Sequence, residues 1–406
     1  MPGLLDLHVH PSLKMYYLPF LKANFHAPVY SGGHWNPLSF RTRYKNLNES
    51  PVKVMLSAHY VIEQGFVGKG LKWFARGVAW GAAPSFYGKL RLSDPYKSLL
   101  KMMDTLEKAE KNTNRWVFGN NKKFKMVTSF DGLKDLEDHE IALVHAIEGS
   151  HALGYGPEKD QSLEDFWTQT EQRLDYIKNR GVCMITLGHF WNNMFCPQTD
   201  GTESIPKKVN GKIVAGRDDA LFQMKRANWR WGDADHLADE FSRAVLEKGM
   251  LIDVAHAQEH ARQKIYDICE EYKRPVVASH NGLQHFFNHE YNLSDAEIKR
   301  IHSLGGIIGL ILSKRLLVPP IRRYKDDGNG IPTLIENMLY IKDLVGDVNS
   351  IGIGTDFDGL THPFKDCFKP SHLPRISDAM SKHFSDEEIE KVFIGNGMRV
   401  LEKGWL

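Results

Sequence analysis

This chain has little cysteine, no long apolar run and no surplus of either charge, and each shortage removes a class of protein. The four cysteines, Cys183, Cys196, Cys269 and Cys367, are scattered without a Cys-x-x-Cys pair. A disulfide scaffold or a thiolate zinc site is therefore not expected; free thiols in a reducing compartment are. The longest apolar stretches, such as Gly305 to Leu312, fall far short of the roughly 18 residues that cross a bilayer. Lysine and arginine number 52 against 50 acidic residues, mixed along the chain for a net charge of +2, so no basic field invites nucleic acid. Repeats at solenoid periods and low-complexity tracts are absent too. A secretory leader would have to precede the first chemistry-bearing residue, which is already His8. The expectation is a cytoplasmic protein with neither a membrane nor a nucleic-acid partner.

What is present is 406 residues, 42% hydrophobic and 25% charged, enough for one large α/β barrel or two ordinary domains. Eight apolar runs read as strands: Leu4 to His10, Val52 to Tyr60, Ile141 to Glu148, Val182 to His189, Met250 to His256, Pro275 to His280, Gly305 to Leu312 and Ser350 to Asp356. Most are continuous rather than alternating, as parallel strands covered on both faces are. Helix patterns lie between them: Tyr96 to Lys111, Leu163 to Asn179, His236 to Lys248, Ala261 to Tyr272, Ser294 to Leu304 and Pro332 to Val345. Ser294 with Glu297 makes a capping-box signature, and Ser162 stands as an N-cap. Alternating strands and helices imply right-handed crossovers, and eight such strands favour a single (β/α)8 TIM-type barrel over residues 1–406. Three stretches exceed the bare repeat, around 66–130, 190–235 and 313–330. They are expected to be loop insertions, the latter two over the C-terminal face where barrel enzymes keep their sites.

Five of these runs end in metal-grade side chains. Alternate residues of a strand share a face, so His8 and His10 are expected to point together, with Leu7 and Val9 on the other side. The same parity groups Ile252, Val254 and His256; Val276, Ala278 and His280; and Gly352, Gly354 and Asp356. The polar residue then sits at the barrel mouth each time. His8, His10, His256 and His280 offer neutral nitrogens and Glu148 and Asp356 carboxylates, a mixture suited to zinc and acceptable to manganese, iron or cobalt. Six ligands exceed what one tetrahedral ion uses, so two divalent ions bridged by Glu148 are the economical arrangement. Such a pair depresses the pKa of a shared water toward about 7, and Asp356 is placed to orient it and take its proton. A lone strand-end histidine is more often a satisfied polar residue than a ligand, and His59, His139, His236 and His302 are read that way. Five polar positions at matching strand ends are harder to explain so.

The strings Ala146-Ile147-Glu148-Gly149, Thr186-Leu187-Gly188-His189, Gly249-Met250-Leu251-Ile252-Asp253-Val254-Ala255-His256, Pro275-Val276-Val277-Ala278-Ser279-His280, Gly305-Gly306-Ile307-Ile308-Gly309 and Gly352-Ile353-Gly354-Thr355-Asp356-Phe357-Asp358-Gly359 resemble, in that order, the renal (membrane) dipeptidase family, peptidase M19-like, of the amidohydrolase superfamily. The resemblance runs from His8 to Gly395-Asn396-Gly397. It implies a (β/α)8 barrel with two zinc ions: His8 and His10 on the first, Glu148 bridging, His256 and His280 on the second. It implies that Asp356 serves the attacking water and that His189 contacts the substrate and steadies the tetrahedral intermediate. It also implies a homodimer, and metal-activated hydroxide cleaving dipeptides or similar small amides.

Two departures stand out. The family has His-x-Asp where this chain has His8-Val9-His10, so the first ion meets less negative charge and weaker retention is expected. Where the family's Arg-Asn pair grips the substrate carboxylate, this chain has Tyr291-Asn292, and a phenol cannot replace a bidentate guanidinium. Lys314 and Arg315 past the seventh strand, and Arg217 and Lys225 in the long insertion, are the candidate replacements. Trp191, with Asn192 and Asn193, is a candidate pocket wall. The alternative substrate is a lactone, cyclic amide or other non-peptide compound; a metal-binding barrel without catalysis is the third reading.

Overall fold

The computed structural model describes residues 2–18, 25–26, 39–63, 88–89, 94–199, 207–209, 212–214, 231, 237–318, 328–359 and 362–406. Nine strands lie in one parallel sheet: β1 (Leu4–Val9), β2 (Val52–Tyr60), β3 (Lys123–Val127), β4 (Glu140–Glu148), β5 (Val182–Thr186), β6 (Leu251–Asp253), β7 (Val277–Asn281), β8 (Ile307–Ile311) and β9 (Ile351–Gly354). Their order is β2-β1-β9-β8-β7-β6-β5-β4-β3, and β2 also pairs with β4. That pairing closes eight strands into a barrel and leaves β3 beside the first half of β4, Lys123 opposite Glu140. The (β/α)8 expectation is borne out, with all eight expected strands present. β3 was not anticipated; it lies in the stretch 66–130, which also holds the crossover helix Pro95–Asn114.

The helices follow their local chemistry. Leu163–Asn179 begins where expected, with the Ser162 side chain accepting from Asp165 N. Ser294 and Glu297 form the reciprocal capping box at the start of Asp295–Ser303. In the second insertion, Lys207–Val209 and Lys212–Val214 form an antiparallel hairpin; Arg217, Lys225 and His236 lie outside the described residues. Among the described residues no helix is long and apolar enough to cross a membrane.

Two apolar clusters divide the strands' faces. Leu5, Leu7, Val54, Leu56, Ala142, Val144, Ala146, Met184, Leu251, Val277 and Ile307 meet inside the barrel, closed below by Val400, Leu401 and Trp405. Met55, Leu143, Ile147, Ile252, Val254, Val276, Ala278, Ile308, Leu310, Ile351 and Ile353 pack outward against helix residues such as Leu99, Met102 and Leu106. Each such fully buried aliphatic side chain contributes about 1.5–3 kcal/mol, which the double coverage supplies on both faces.

This division corrects the parity argument. Leu7 points inward with Leu5, whereas Ile252, Val254, Val276 and Ala278 point outward. The histidines reach the barrel axis through interruptions of the alternation. In β1, Asp6 pairs with Met55 but Val9 with Ser57, so one extra residue is bulged between them. In β7, Ala278 and Asn281 pair with Ile308 and Leu310, another one-residue bulge, and bulges of this kind re-aim side chains at strand ends. His256 turns inward on a left-handed backbone, φ +65°. Beside the β7 bulge the Ser279 carbonyl crowds both following strands: a Cβ on Gly309 of β8 would lie 2.0 Å and one on Gly354 of β9 1.8 Å from that oxygen. Only glycine fits there.

Candidate metal centre

Glu148, the last residue of β4, is the centre of the site. Its Oε1 lies 3.1 Å from His8 Nε2, 3.4 Å from His280 Nε2 and 3.6 Å from His256 Nε2. Its Oε2 lies 3.5 Å from both His10 Nε2 and His189 Nε2. Asp356 Oδ1 is 3.2 Å from His10 Nε2. All seven side chains are buried. The structure thus brings together every metal position read from the sequence, and both residues assigned to catalysis. The grouping differs in one respect from the implied one: Glu148 Oε1 faces His8 together with His256 and His280, and the His8 and His280 rings are 3.8 Å apart.

The hydrogen bonds behind the ligands fix which nitrogen faces inward. Asp253, at the inward end of β6, accepts from Ser279 N at 2.9 Å, Ser279 Oγ at 2.6 Å, Thr186 Oγ1 at 2.6 Å and Ala255 N at 3.0 Å. The Ser279 hydroxyl proton is thereby spent on a carboxylate. Its lone pairs face His8 Nδ1 at 3.1 Å and His280 Nδ1 at 2.7 Å, so both rings carry a proton on Nδ1 and turn Nε2 toward the centre, bare in His280 and bare in His8 once its second proton has left. Asp6 repeats the device below β9, accepting from Thr355 N at 2.9 Å, Thr355 Oγ1 at 2.6 Å and His8 N at 3.2 Å. Burial pushes its carboxyl up to about 6.

The donor set fits cations. His8 and His10 Nε2 are 3.0 Å apart and His256 and His280 Nε2 3.1 Å apart. Between His256 and His280, both kept neutral, lone pairs aimed at one another at that distance repel, but ligands held at about 2.0–2.1 Å around a shared tetrahedral ion stand about 3.3 Å apart. The site's charge is centred on Glu148. Burial alone would raise the Glu148 carboxyl, yet His189, His8 and His10 hold it well below the usual range. Burial alone would lower His8, but Glu148 reverses this and pushes it up to about 9. His256 and His280 are lowered by burial, which keeps them in the neutral form that binds metal.

His189 stands three residues beyond β5. Its backbone N–H donates to Gln198 Oε1 at 2.9 Å and its Nδ1 lies 3.1 Å from Glu63 Oε1. Glu63 is buried, accepts also from Phe190 N at 2.9 Å and is bonded to the Tyr60 hydroxyl. Burial would raise it, but His189 and His151 bring it down to about 2. A carboxylate on Nδ1 orients the imidazole with Nε2 toward Glu148. Glu63, Asp253, Asp6 and Ser279 were not singled out from the sequence; the signal available for Asp6, Asp253 and Ser279 was a polar residue within or closing an apolar strand, and nothing marked Glu63.

The candidate substrate residues are placed less centrally. Tyr291 is wholly buried; its hydroxyl donates to His280 O at 2.7 Å and its ring packs on His256 with centroids 4.9 Å apart. Asn292 is equally buried and donates to Phe287 O and Leu316 O. Lys314 and Arg315 are half-buried on the short helix Lys314–Leu317 after β8. Trp191 is buried against Phe190. Asn192 and Asn193 shape the loop after β5: Asn192 Oδ1 accepts from Gln198 N, and Asn193 Oδ1 from Phe195 N and Cys196 N. His59 is a satisfied core residue between Ser12 Oγ at 2.8 Å and His145 Nδ1 at 2.7 Å.

A closed parallel barrel gathering imidazoles and carboxylates at its C-terminal mouth defines the amidohydrolase-type fold of metal-dependent hydrolases. Residues 242–404 match the profile of the family described as membrane dipeptidase, peptidase family M19, and the resemblance to that family is borne out. The chain is similar to a protein from the pqqA 5′ region of Klebsiella pneumoniae, 27% identical over 273 residues, 66% of this chain and 84% of that one. An uncharacterized dipeptidase of Schizosaccharomyces pombe is 24% identical over 305 residues, 74% of this chain but 62% of that longer protein. Among solved structures, a Rhodobacter sphaeroides metallopeptidase liganded with a phosphinate mimic of L-Ala-D-Ala superposes with a TM-score of 0.68 at 16% identity, covering 100% of this chain and 99% of that one.

Proposed function

We propose that this metal-dependent hydrolase is binuclear and cleaves the amide bond of dipeptides or similar small amides. The observation that carries the reading is the position of Glu148, whose two oxygens lie within 3.6 Å of five imidazole nitrogens. One carboxylate serving two sets of donors is how a bridging ligand is built. Zinc is the proposed metal because imidazole dominates the donor set, and a cytoplasmic location is proposed on four buried free thiols.

His8, His10, Glu148, His256 and His280 would hold the two cations, which when bound supply Lewis acidity and a hydroxide nucleophile near neutral pH. Asp356 takes the proton of the attacking water and passes it to the leaving amine. His189 donates from Nε2 to the developing oxyanion while Glu63 holds its other nitrogen. The buried side chains around them exclude bulk water from the reacting atoms.

A second reading, a lactone, cyclic amide or other non-peptide substrate, is favoured by Tyr291, whose hydroxyl is committed to the His280 carbonyl. The nearby Arg262 does not supply the missing guanidinium, being fully buried and paired with Glu297. Assay of the zinc-loaded protein against dipeptides, N-acyl amino acids and lactones, with chelator controls, separates the two. Chelator-sensitive hydrolysis of several dipeptides supports the first; turnover confined to lactones or cyclic amides replaces it with the second.

A further inference from the structure

The segment from Lys111 to Lys123 carries Lys111, Arg115, Lys122 and Lys123 and no acidic residue, in a chain whose whole net charge is +2. Between these cations stand Trp116 and Phe118, 72% and 71% exposed, the most exposed large hydrophobic side chains among the described residues. Single exposed aromatics are ordinary on a protein surface; two neighbours raised this far are not.

The turn that carries them is rigidly built. Trp116 N donates to Thr113 O at 2.9 Å, Asn121 Nδ2 to Phe118 O at 2.9 Å, and Asn48 Nδ2 to Asn121 Oδ1 at 3.0 Å. Asn114 clasps Phe124 through both its N–H and its carbonyl, at 2.9 and 2.7 Å. Val117, only 6% exposed, pins the turn from within. With the backbone fixed and Val117 inward, the rings on either side of it are held outward. The turn joins the helix Pro95–Asn114 to β3, whose first residue pairs with Glu140 at the start of β4. It therefore lies at the end of the barrel opposite Glu148.

We propose that this turn docks the protein on an anionic phospholipid surface. Trp116 and Phe118 enter the headgroup layer, where amphipathic and aromatic rings are most at home. Lys111, Arg115 and Lys123, all exposed, face the lipid phosphates and carboxylates. A second copy of the chain fits this surface poorly, because a two-fold contact would set identical cations against each other. Nucleic acid fits it poorly as well: single strands are bound along grooves lined with cations at phosphate spacing, whereas here the cations ring one turn. Docked in this way, the protein keeps the barrel mouth directed away from the bilayer and open to a soluble substrate.

The test is flotation of the full-length protein with vesicles of phosphatidylcholine containing about 30% phosphatidylserine at low salt. The protein is expected to float with these vesicles, to stay behind with phosphatidylcholine alone, and to be released by high salt. Trp116→Ser with Phe118→Ser, and separately Arg115→Glu with Lys123→Glu, are expected to lower the bound fraction about tenfold or more at unchanged circular dichroism. Quenching of tryptophan fluorescence by brominated lipid should fall in Trp116→Phe, a variant that keeps an aromatic ring. The proposal is overturned by failure to float with anionic vesicles, by undiminished flotation of both double variants, or by a dimer in sedimentation that Trp116→Ser dissociates. Retention by single-stranded RNA in preference to the vesicles overturns it too.

Discussion

Gly359 is without a side chain because Asp356 occupies the space one would take: a Cβ on Gly359 would lie 1.8 Å from Asp356 Oδ1. Asp356 itself sits on a left-handed backbone, φ +52°, with its N–H donating to His8 O at 2.8 Å. The backbone is fixed, so a methyl group at residue 359 displaces the carboxylate. Gly359→Ala is expected to lower kcat about 100-fold, since roughly 1 Å of misplacement costs that much, at nearly unchanged melting temperature. Asp356→Asn should keep its metal and lose turnover by about 10²–10⁴. Metal analysis alongside kcat checks both; an Asp356→Asn enzyme with comparable activity removes this carboxylate from the mechanism.

Ser279→Ala deletes the one oxygen that orients both His8 and His280. Loss of such a supporting hydrogen bond costs about 10- to 100-fold in metal affinity. Titration of the apoprotein with zinc against a competing chelator measures the change. Affinity equal to that of the unaltered chain would show that packing alone orients the rings.

His10 and His256 are the ligands without a supporting hydrogen bond on Nδ1 among the described residues, and of the two His10 departs from the resembling family, which has a carboxylate there. His10→Asp is expected to retain the first ion through dialysis that strips it from the unaltered protein. If the unaltered chain already holds two ions as tightly as the variant, the neutral ligand carries no penalty.

The apoprotein's stability should depend on pH through His8. Its folded pKa is pushed up to about 9 from an ordinary 6.5, Glu148 outweighing the effect of burial. A raised pKa contributes stability that is fully present below 6.5 and lost as pH rises through 9. The melting temperature of the metal-free protein should therefore fall across that window. Metal uptake releases this proton, so apparent zinc affinity rises over the same range. A metal-free melting temperature that climbs from pH 6.5 to 9 would falsify the assignment.

The strands and the metal positions were legible because burial on both faces leaves continuous apolar runs, and because a polar residue closing such a run is conspicuous. β3 escaped notice: Lys123-Phe124-Lys125-Met126-Val127 alternates and is only partly buried, so it reads like exposed chain. The direction of the histidines was also illegible. Parity assumes uninterrupted pairing, and the bulges at Leu7-His8 and Ser279-His280 exist only in the register with neighbouring strands. The sequence traces of the crowded Ser279 carbonyl are on other strands, in the missing side chains of Gly309 and Gly354. Glu63 left no trace at all, since its partner His189 is 126 positions away.

The first and last strands of the barrel are neighbours, with Asp6 opposite Ile353 and the Asp6 carboxylate bonded to Thr355. This has a consequence for biosynthesis. When His8 and His10 have been made, Thr355 and Asp356, almost 350 positions later, have yet to be added beside them. The first-synthesised ligands are thus completed only once β9 and Asp356 have been made and have paired beside them. Until that pairing forms, a metal ion meets only part of the donor set.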